Sequence, residues 1–303
     1  MTTTAILLII GSAIIHASWN LLCKKSNSST SFFLIASIPS CLLLLPFVLT
    51  MFHLIRFIPS EVWWLLALTG CFQATYYIGL AKAYKHGDIS VVYPVARTLP
   101  VLIVATAVYL FSGGTQALSH ESLFGALLII GGCFMLPMRH LRDFRLKNYI
   151  NIACFFAVIA AIGTSGYSVI DDKATEVLRI NFSSKENIAL ITLLYIFFET
   201  ISSSIWMGIY ILVNKNERES FKLTVKNNKL TAFGAGFAIT LAYSMVLMSM
   251  AFVTNVSYVV AFRQLGIFIG AVMGIVLLGE AKQVPKIIGI CLLFIGLLLV
   301  ALG

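Results

Sequence analysis

Charge is what this chain has least of. Only 11% of its 303 residues are Asp, Glu, Lys or Arg, against about 25% in a soluble globular domain. With 59% hydrophobic residues and a mean hydropathy of +0.96, that deficit excludes a soluble fold. Acidic residues are scarcest, 12 against 21 basic ones. The resulting charge of +9 does not point to nucleic acid, because the basic residues fall mostly in short segments between apolar runs, where they set membrane topology. The six cysteines include no CxxC pair and have no histidine cluster nearby, which argues against metal or redox chemistry and for buried thiols. HExxH, GxSxG and paired aspartates inside an apolar run are all missing. His16 alone offers a base, and no nucleophile stands beside it, so neither an enzyme nor a bound cofactor or metal is expected. The longest polar stretch, about 214–229, is a short basic loop with no room for a signalling domain, and no filter sequence marks a channel.

What is present is a series of apolar runs about 20 residues long, the length that carries a helix across a bilayer core. They predict an all-α polytopic membrane protein with ten transmembrane helices at about 4–23, 31–52, 62–82, 89–111, 120–138, 149–170, 188–213, 230–252, 255–278 and 284–302. The first run lacks a basic leader and ends in Cys23-Lys24-Lys25, so it reads as a retained span and not a signal peptide. Loops after the odd-numbered spans carry 15 Lys and Arg, and the opposite side carries Arg56, Lys173, Arg179 and Lys185. That bias predicts both termini outside.

The chain repeats itself. Tyr76 to Ala83 aligns with Tyr243 to Met250, and after one gap Ser90-Val91-Val92-Tyr93 aligns with Ser257-Tyr258-Val259-Val260. GALLIIGG (125–132) resembles GICLLFIG (289–296), and Trp19-Asn20 matches Tyr167-Ser168. Two five-helix units, 1–140 and 141–303, are therefore expected to form one transmembrane domain. An odd number of spans per unit inverts the second copy, and transporters commonly place a site where such repeats meet. Arg97 and Arg263 lie in matching runs, one residue out of register. An arginine inside the membrane costs roughly 2.5–3.5 kcal/mol on insertion scales and marks a functional position by default.

Five plus five spans, HASWNLLxK (His16 to Lys24), the Ser90-to-Pro100 stretch of span 4 and LLGE (277–280) together resemble the EamA-type drug/metabolite transporters. The opening motif is also similar to a branch associated with phosphonate use. The first half departs from the pattern in FSGG (111–114), which lacks the acid that Glu280 supplies in the second. Members are commonly drawn with both termini in the cytoplasm, the reverse of the charge bias here. The resemblance implies a multi-pass protein of the bacterial cytoplasmic membrane, with a cavity lined by spans 1, 3, 4, 6, 8 and 9.

Polar residues within the spans supply the candidates. His16 and Asn20 share one face of span 1, beside Trp19; span 3 offers Gln73, Tyr76 and Tyr77; span 8 offers Tyr243. Tyr93 and Arg97 sit one turn apart in a stretch that also holds Pro94 and Pro100, whose rings favour a bend. Arg263 and Gln264 precede the stripe Gly266, Gly270 and Gly274, which permits close helix approach. Glu199 is the one carboxylate deep inside a span, and it reads equally as a proton-coupling group or as half of a structural ion pair with Arg263. Asp171 and Asp172 read as the solvated end of span 6. Two arginines facing one cavity favour an anionic organic solute, exported by alternating access. Proton-coupled efflux of cationic or lipophilic compounds is the alternative that Glu199 keeps open. The expected partners are a small-molecule substrate and the bilayer, and the chain reads as a monomer or homodimer.

Overall fold

The computed structural model describes residues 3–26, 28–111, 120–143, 145, 148–182, 188–250 and 265–302. All its regular elements are helical: α1 (Thr3–Lys25), α2 (Thr30–Thr50), a 3₁₀ turn (Phe52–Phe57), α3 (Ser60–His86), α4 (Ile89–Phe111), α5 (His120–Met135), α6 (Ile152–Phe182), α7 (Ile188–Val213), α8 (Lys215–Asn227), α9 (Lys229–Met250), α10 (Leu265–Leu277) and α11 (Val284–Leu302). Five are long and apolar enough to cross a membrane (α1, α2, α6, α7 and α9), and four shorter apolar segments lie in α4, α5, α10 and α11.

Helix is the only economical choice for these runs, because hydrocarbon offers the backbone no other hydrogen-bond partner. Their outer faces suit that solvent: Leu7, Leu49, Leu127 and Ile180 are among many large apolar side chains left exposed. Inside, a large core joins Phe32 and Phe33 of α2, Tyr84 of α3, Tyr93 of α4, Ala157 and Ala160 of α6 and Ile267 of α10. A second cluster at the opposite end joins Met51, Leu66, Leu178 and Tyr195.

The helices pack in recurring pairs: α3 on α6 and α1 on α9; α4 on α6 and α1 on α10; α5 on α11, α2 on α7 and α4 on α10. Glycine sets the closest approaches. A Cβ on Gly79 would lie 2.7 Å from the Ala160 nitrogen, and one on Gly163 would lie 2.5 Å from the Tyr76 nitrogen. The two aligned glycine segments meet each other: a Cβ on Gly125 would lie 2.7 Å from the Gly296 carbonyl oxygen, and one on Gly132 would lie 2.7 Å from that of Gly289.

Two expectations are corrected here. The basic stretch after α7 is not a loop but the helix α8, capped by Asn214, whose side chain accepts from the Asn216 and Glu217 amides at 3.0 and 3.3 Å. Span 6 does not end near residue 170, because α6 runs on to Phe182.

Candidate substrate-binding site

The predicted tyrosines and Arg97 come together. Tyr76 and Tyr77 on α3 have ring centroids 5.0 Å apart, and Tyr167 of α6 meets Tyr76 edge-on at 6.0 Å. Tyr77 stacks on Phe33 of α2 at 4.6 Å. Arg97 projects from α4 with its guanidinium carbon 6.0 Å from the Tyr93 ring centroid. Tyr93, Tyr76, Tyr167 and Tyr84 are its electrostatic neighbours. Although four tyrosines surround it, Arg97 keeps part of its surface accessible. It has no carboxylate ion-pair partner among the described residues. A cation beside phenols is desolvated yet stabilised by ring quadrupoles and hydroxyl dipoles.

The span 1 candidates line up beneath this cluster. Trp19 Nε1 donates to His16 Nδ1 at 3.1 Å, and Asn20 Nδ2 donates to the His16 carbonyl at 2.7 Å. Tyr84 then donates to Asn20 Oδ1 at 2.7 Å. Asn20 is thereby a fixed link between α1 and α3. Tyr243, on α9, is exposed. Arg263 and Gln264 lie outside the described residues.

The glycine stripe of α10 works as a seat for α4. A Cβ on Gly270 would lie 2.5 Å from Tyr93 Cδ1, and one on Gly274 would lie 2.5 Å from Ile89 Cγ2. Only hydrogen at these positions lets α4 seat Tyr93 and Ile89 against α10.

Glu199 is buried on α7, with Gln73 of α3 among its polar neighbours. One turn before Glu199, Tyr195 reaches across to Asp171 of α6. Asp171 is no solvated helix end: its Oδ1 accepts from Thr69 at 2.5 Å and from Tyr195 at 2.6 Å. The two carboxylates are electrostatic neighbours. Asp172 is exposed, as expected.

The two motif residues at the chain's extremes converge on one turn. Lys24 of HASWNLLxK donates to the Tyr84 carbonyl and, at 2.7 Å, to the Gly87 carbonyl at the end of α3. Glu280 of LLGE accepts from the Ile89 and Ser90 amides at 2.6 and 3.0 Å, capping the N-terminus of α4. Gly279 has φ of +68°, a left-handed conformation that ends α10 and turns the chain so that Glu280 reaches back. Lys286, almost wholly buried, pairs with Asp88 of the same turn at 3.1 Å.

A search of protein families now finds its place. The model described as "EamA-like transporter family" matches residues 3–138. Over that segment the chain is similar to the EamA-like transporter family. His16, Trp19, Asn20, Gln73, Tyr76, Tyr77, Tyr93 and Arg97 all fall within that EamA segment. The family's members are membrane transporters of the drug/metabolite superfamily and not enzymes. A comparison with curated proteins returns no match. One solved crystal structure is similar across 99% of this chain and 98% of its own, with a TM-score of 0.52 at 16% identity. That likeness extends the shared fold over both halves, beyond the EamA segment.

Proposed function

We propose that this chain is a secondary transporter, acting as an exporter, that moves a small organic metabolite across the bacterial cytoplasmic membrane by alternating access. The observation that carries the reading is Arg97, partly open among Tyr76, Tyr84, Tyr93 and Tyr167. A guanidinium offering paired donors beside phenol rings suits a solute with a carboxylate, phosphate or phosphonate and an apolar body. His16, Trp19, Asn20, Gln73, Tyr77, Tyr243, Arg263 and Gln264 complete the proposed lining.

The architecture proposed for this task is ten spans in two inverted repeats, 1–140 and 141–303, with both termini outside. The packing pairs support it. Exchanging each helix of one half for its counterpart turns the α3–α6 contact into α1–α9, and the α4–α6 contact into α1–α10. The reciprocal Gly125–Gly296 and Gly132–Gly289 contacts obey the same exchange.

A second reading, proton-coupled efflux of cationic or lipophilic compounds, rests on Glu199 with Gln73 and neighbouring Asp171. Transport of a labelled panel by proteoliposomes, using wild type, Arg97→Gln, Arg263→Gln and Glu199→Gln, separates the two. Anion transport lost with either arginine supports the first reading. Anion transport at the wild-type rate in both arginine variants, with proton-driven cation movement lost in Glu199→Gln, supports the second.

A further inference from the structure

Away from Arg97, at the end of the bundle where the basic segments gather, α3, α6 and α8 enclose a groove of about 960 Å³. One wall is polar: Lys82, Lys85 and His86 from the last turns of α3, and Asn214, Glu217 and Ser220 around the start of α8. The other wall is apolar, formed by Phe155, Phe156 and Val158 of α6. Phe155 and Val158 are 61% and 41% exposed, so this wall opens sideways on the face where α6 meets hydrocarbon.

Inside the groove, charges face each other without being matched. The Lys82 ammonium lies 4.9 Å from the Phe156 ring centroid and 5.4 Å from that of Tyr210. Neither Lys82 nor Lys85 has an ion-pair partner among the described residues. Both lysines are electrostatic neighbours of Glu217; Thr30 of α2 sits beside its carboxylate, but the buried Oε2 has no hydrogen bond of good geometry among those residues. At the start of α6, Asn151 Oδ1 accepts from the Cys154 amide at 2.9 Å and its Nδ2 donates to the Asn148 carbonyl at 2.8 Å.

Two cations, an unfilled acceptor and an adjoining apolar wall at the membrane boundary describe one kind of occupant. We propose that this groove holds the headgroup of a phospholipid, its phosphate between Lys82 and Lys85 and its terminal N–H or O–H donating to Glu217 Oε2. The acyl chains run down the Phe155–Val158 face. Charge-assisted contacts to phosphate supply affinity, and the acceptor supplies selection: ethanolamine and glycerol headgroups carry donors, whereas choline has none. The site is separate from the Arg97 cluster and stands whether or not the transported solute is an anion.

The test uses the purified full chain, stripped of lipid in detergent, with binding of phosphatidylethanolamine, phosphatidylglycerol and phosphatidylcholine measured by native mass spectrometry. The first two bind about tenfold more tightly than the third, the equivalent of one good hydrogen bond to a charged group. Lys85→Gln, at an exposed position that leaves the fold intact, weakens both, and Lys82→Gln/Lys85→Gln weakens them further. Glu217→Gln weakens phosphatidylethanolamine more than phosphatidylglycerol, because only the first donates from a cation. Equal binding of all three lipids overturns the proposal, as does wild-type binding by a correctly folded Lys82→Gln/Lys85→Gln. Displacement of the lipids by millimolar glycerol 3-phosphate identifies a soluble phosphate as the ligand and also overturns it.

Discussion

Replacing Glu280 by Gln tests the clamp on the α3–α4 turn. Both carboxylate oxygens are engaged, Oε1 with the Ile89 amide at 2.6 Å and Oε2 with the Ser90 amide at 3.0 Å. Those amides open α4, where an anion also meets the positive end of the helix dipole. A hydrogen bond to a charged group contributes about 1.5–3 kcal/mol, and a neutral one about 1 kcal/mol. Glutamine retains one acceptor, turns its NH₂ toward the second amide and removes a dipole interaction of about 0.3–1 kcal/mol. Because Glu280 is half-buried, the lower part of each range applies, and the net loss is about 2 kcal/mol. For a chain of this size that corresponds to a fall in Tm on the order of 5 °C, read by intrinsic fluorescence on detergent-purified protein. Glu280→Asp, too short to reach both amides, falls between the two. A Glu280→Gln melting curve superimposable on wild type would refute the capping role.

Other substitutions probe the remaining contacts. Gly270→Val places a side chain on the Tyr93 ring and is expected to cost about 1–3 kcal/mol by overpacking, with transport falling further than stability because Tyr93 flanks Arg97; unchanged transport would contradict the seating of α4 on α10. Asp88→Asn strands the buried Lys286, and since Asp88 is itself half-exposed the loss falls short of the about 3–5 kcal/mol typical of fully buried pairs; Lys286→Met in the same background should recover most of the Tm. Burial pushes the Glu217 carboxyl above its ordinary value, so its charged form is disfavoured in the folded protein. Stability from this group is present at acid pH and lost as pH rises through the raised folded value. Glu217→Gln in lipid-free detergent is therefore expected to have a higher Tm than wild type at pH 7, with the gap closing toward pH ~4. A gap that widened on acidification would reverse the sign of that argument.

The helices were largely legible because hydrocarbon imposes a simple length and polarity rule, and described helices coincide with nine of the ten predicted runs over most of their length; the run at 255–278 coincides where it is described, from Leu265. The failure at Asp171 has a physical cause, partners distant in sequence. Asp171-Asp172-Lys173 reads as a water boundary, yet only Asp172 and Lys173 face out, Lys173 pairing with Glu176 at 3.1 Å. Asp171 turns inward because Thr69 and Tyr195, from two other helices, offer it hydroxyl donors. Helix α8 was missed because it is polar; its tie to the bundle is a few contacts such as Asn228 Nδ2 to the Ser26 carbonyl at 3.3 Å. In the cluster, Tyr76 and Tyr77 were singled out by their mid-span positions, and Tyr93 and Arg97 by their one-turn spacing near the start of span 4. Tyr84 and Tyr167 were not singled out as site residues: Tyr84 sits in the last turns of α3 and Tyr167 carried only a repeat match to Trp19. The clamp is the sharpest case, since Lys24, Glu280 and Lys286 lie at opposite ends of the chain and meet on seven residues between α3 and α4.

Arg97 is proposed to bind the transported solute. Its most direct test is radiolabelled flux in proteoliposomes of wild type and Arg97→Gln, with matched carboxylate and neutral amide versions of the same metabolite. The account predicts that wild type prefers the carboxylate, and that Arg97→Gln loses the preference by a factor of ten or more while its Tm stays near wild type. An Arg97→Gln protein that still carries the carboxylate at the wild-type rate would contradict it.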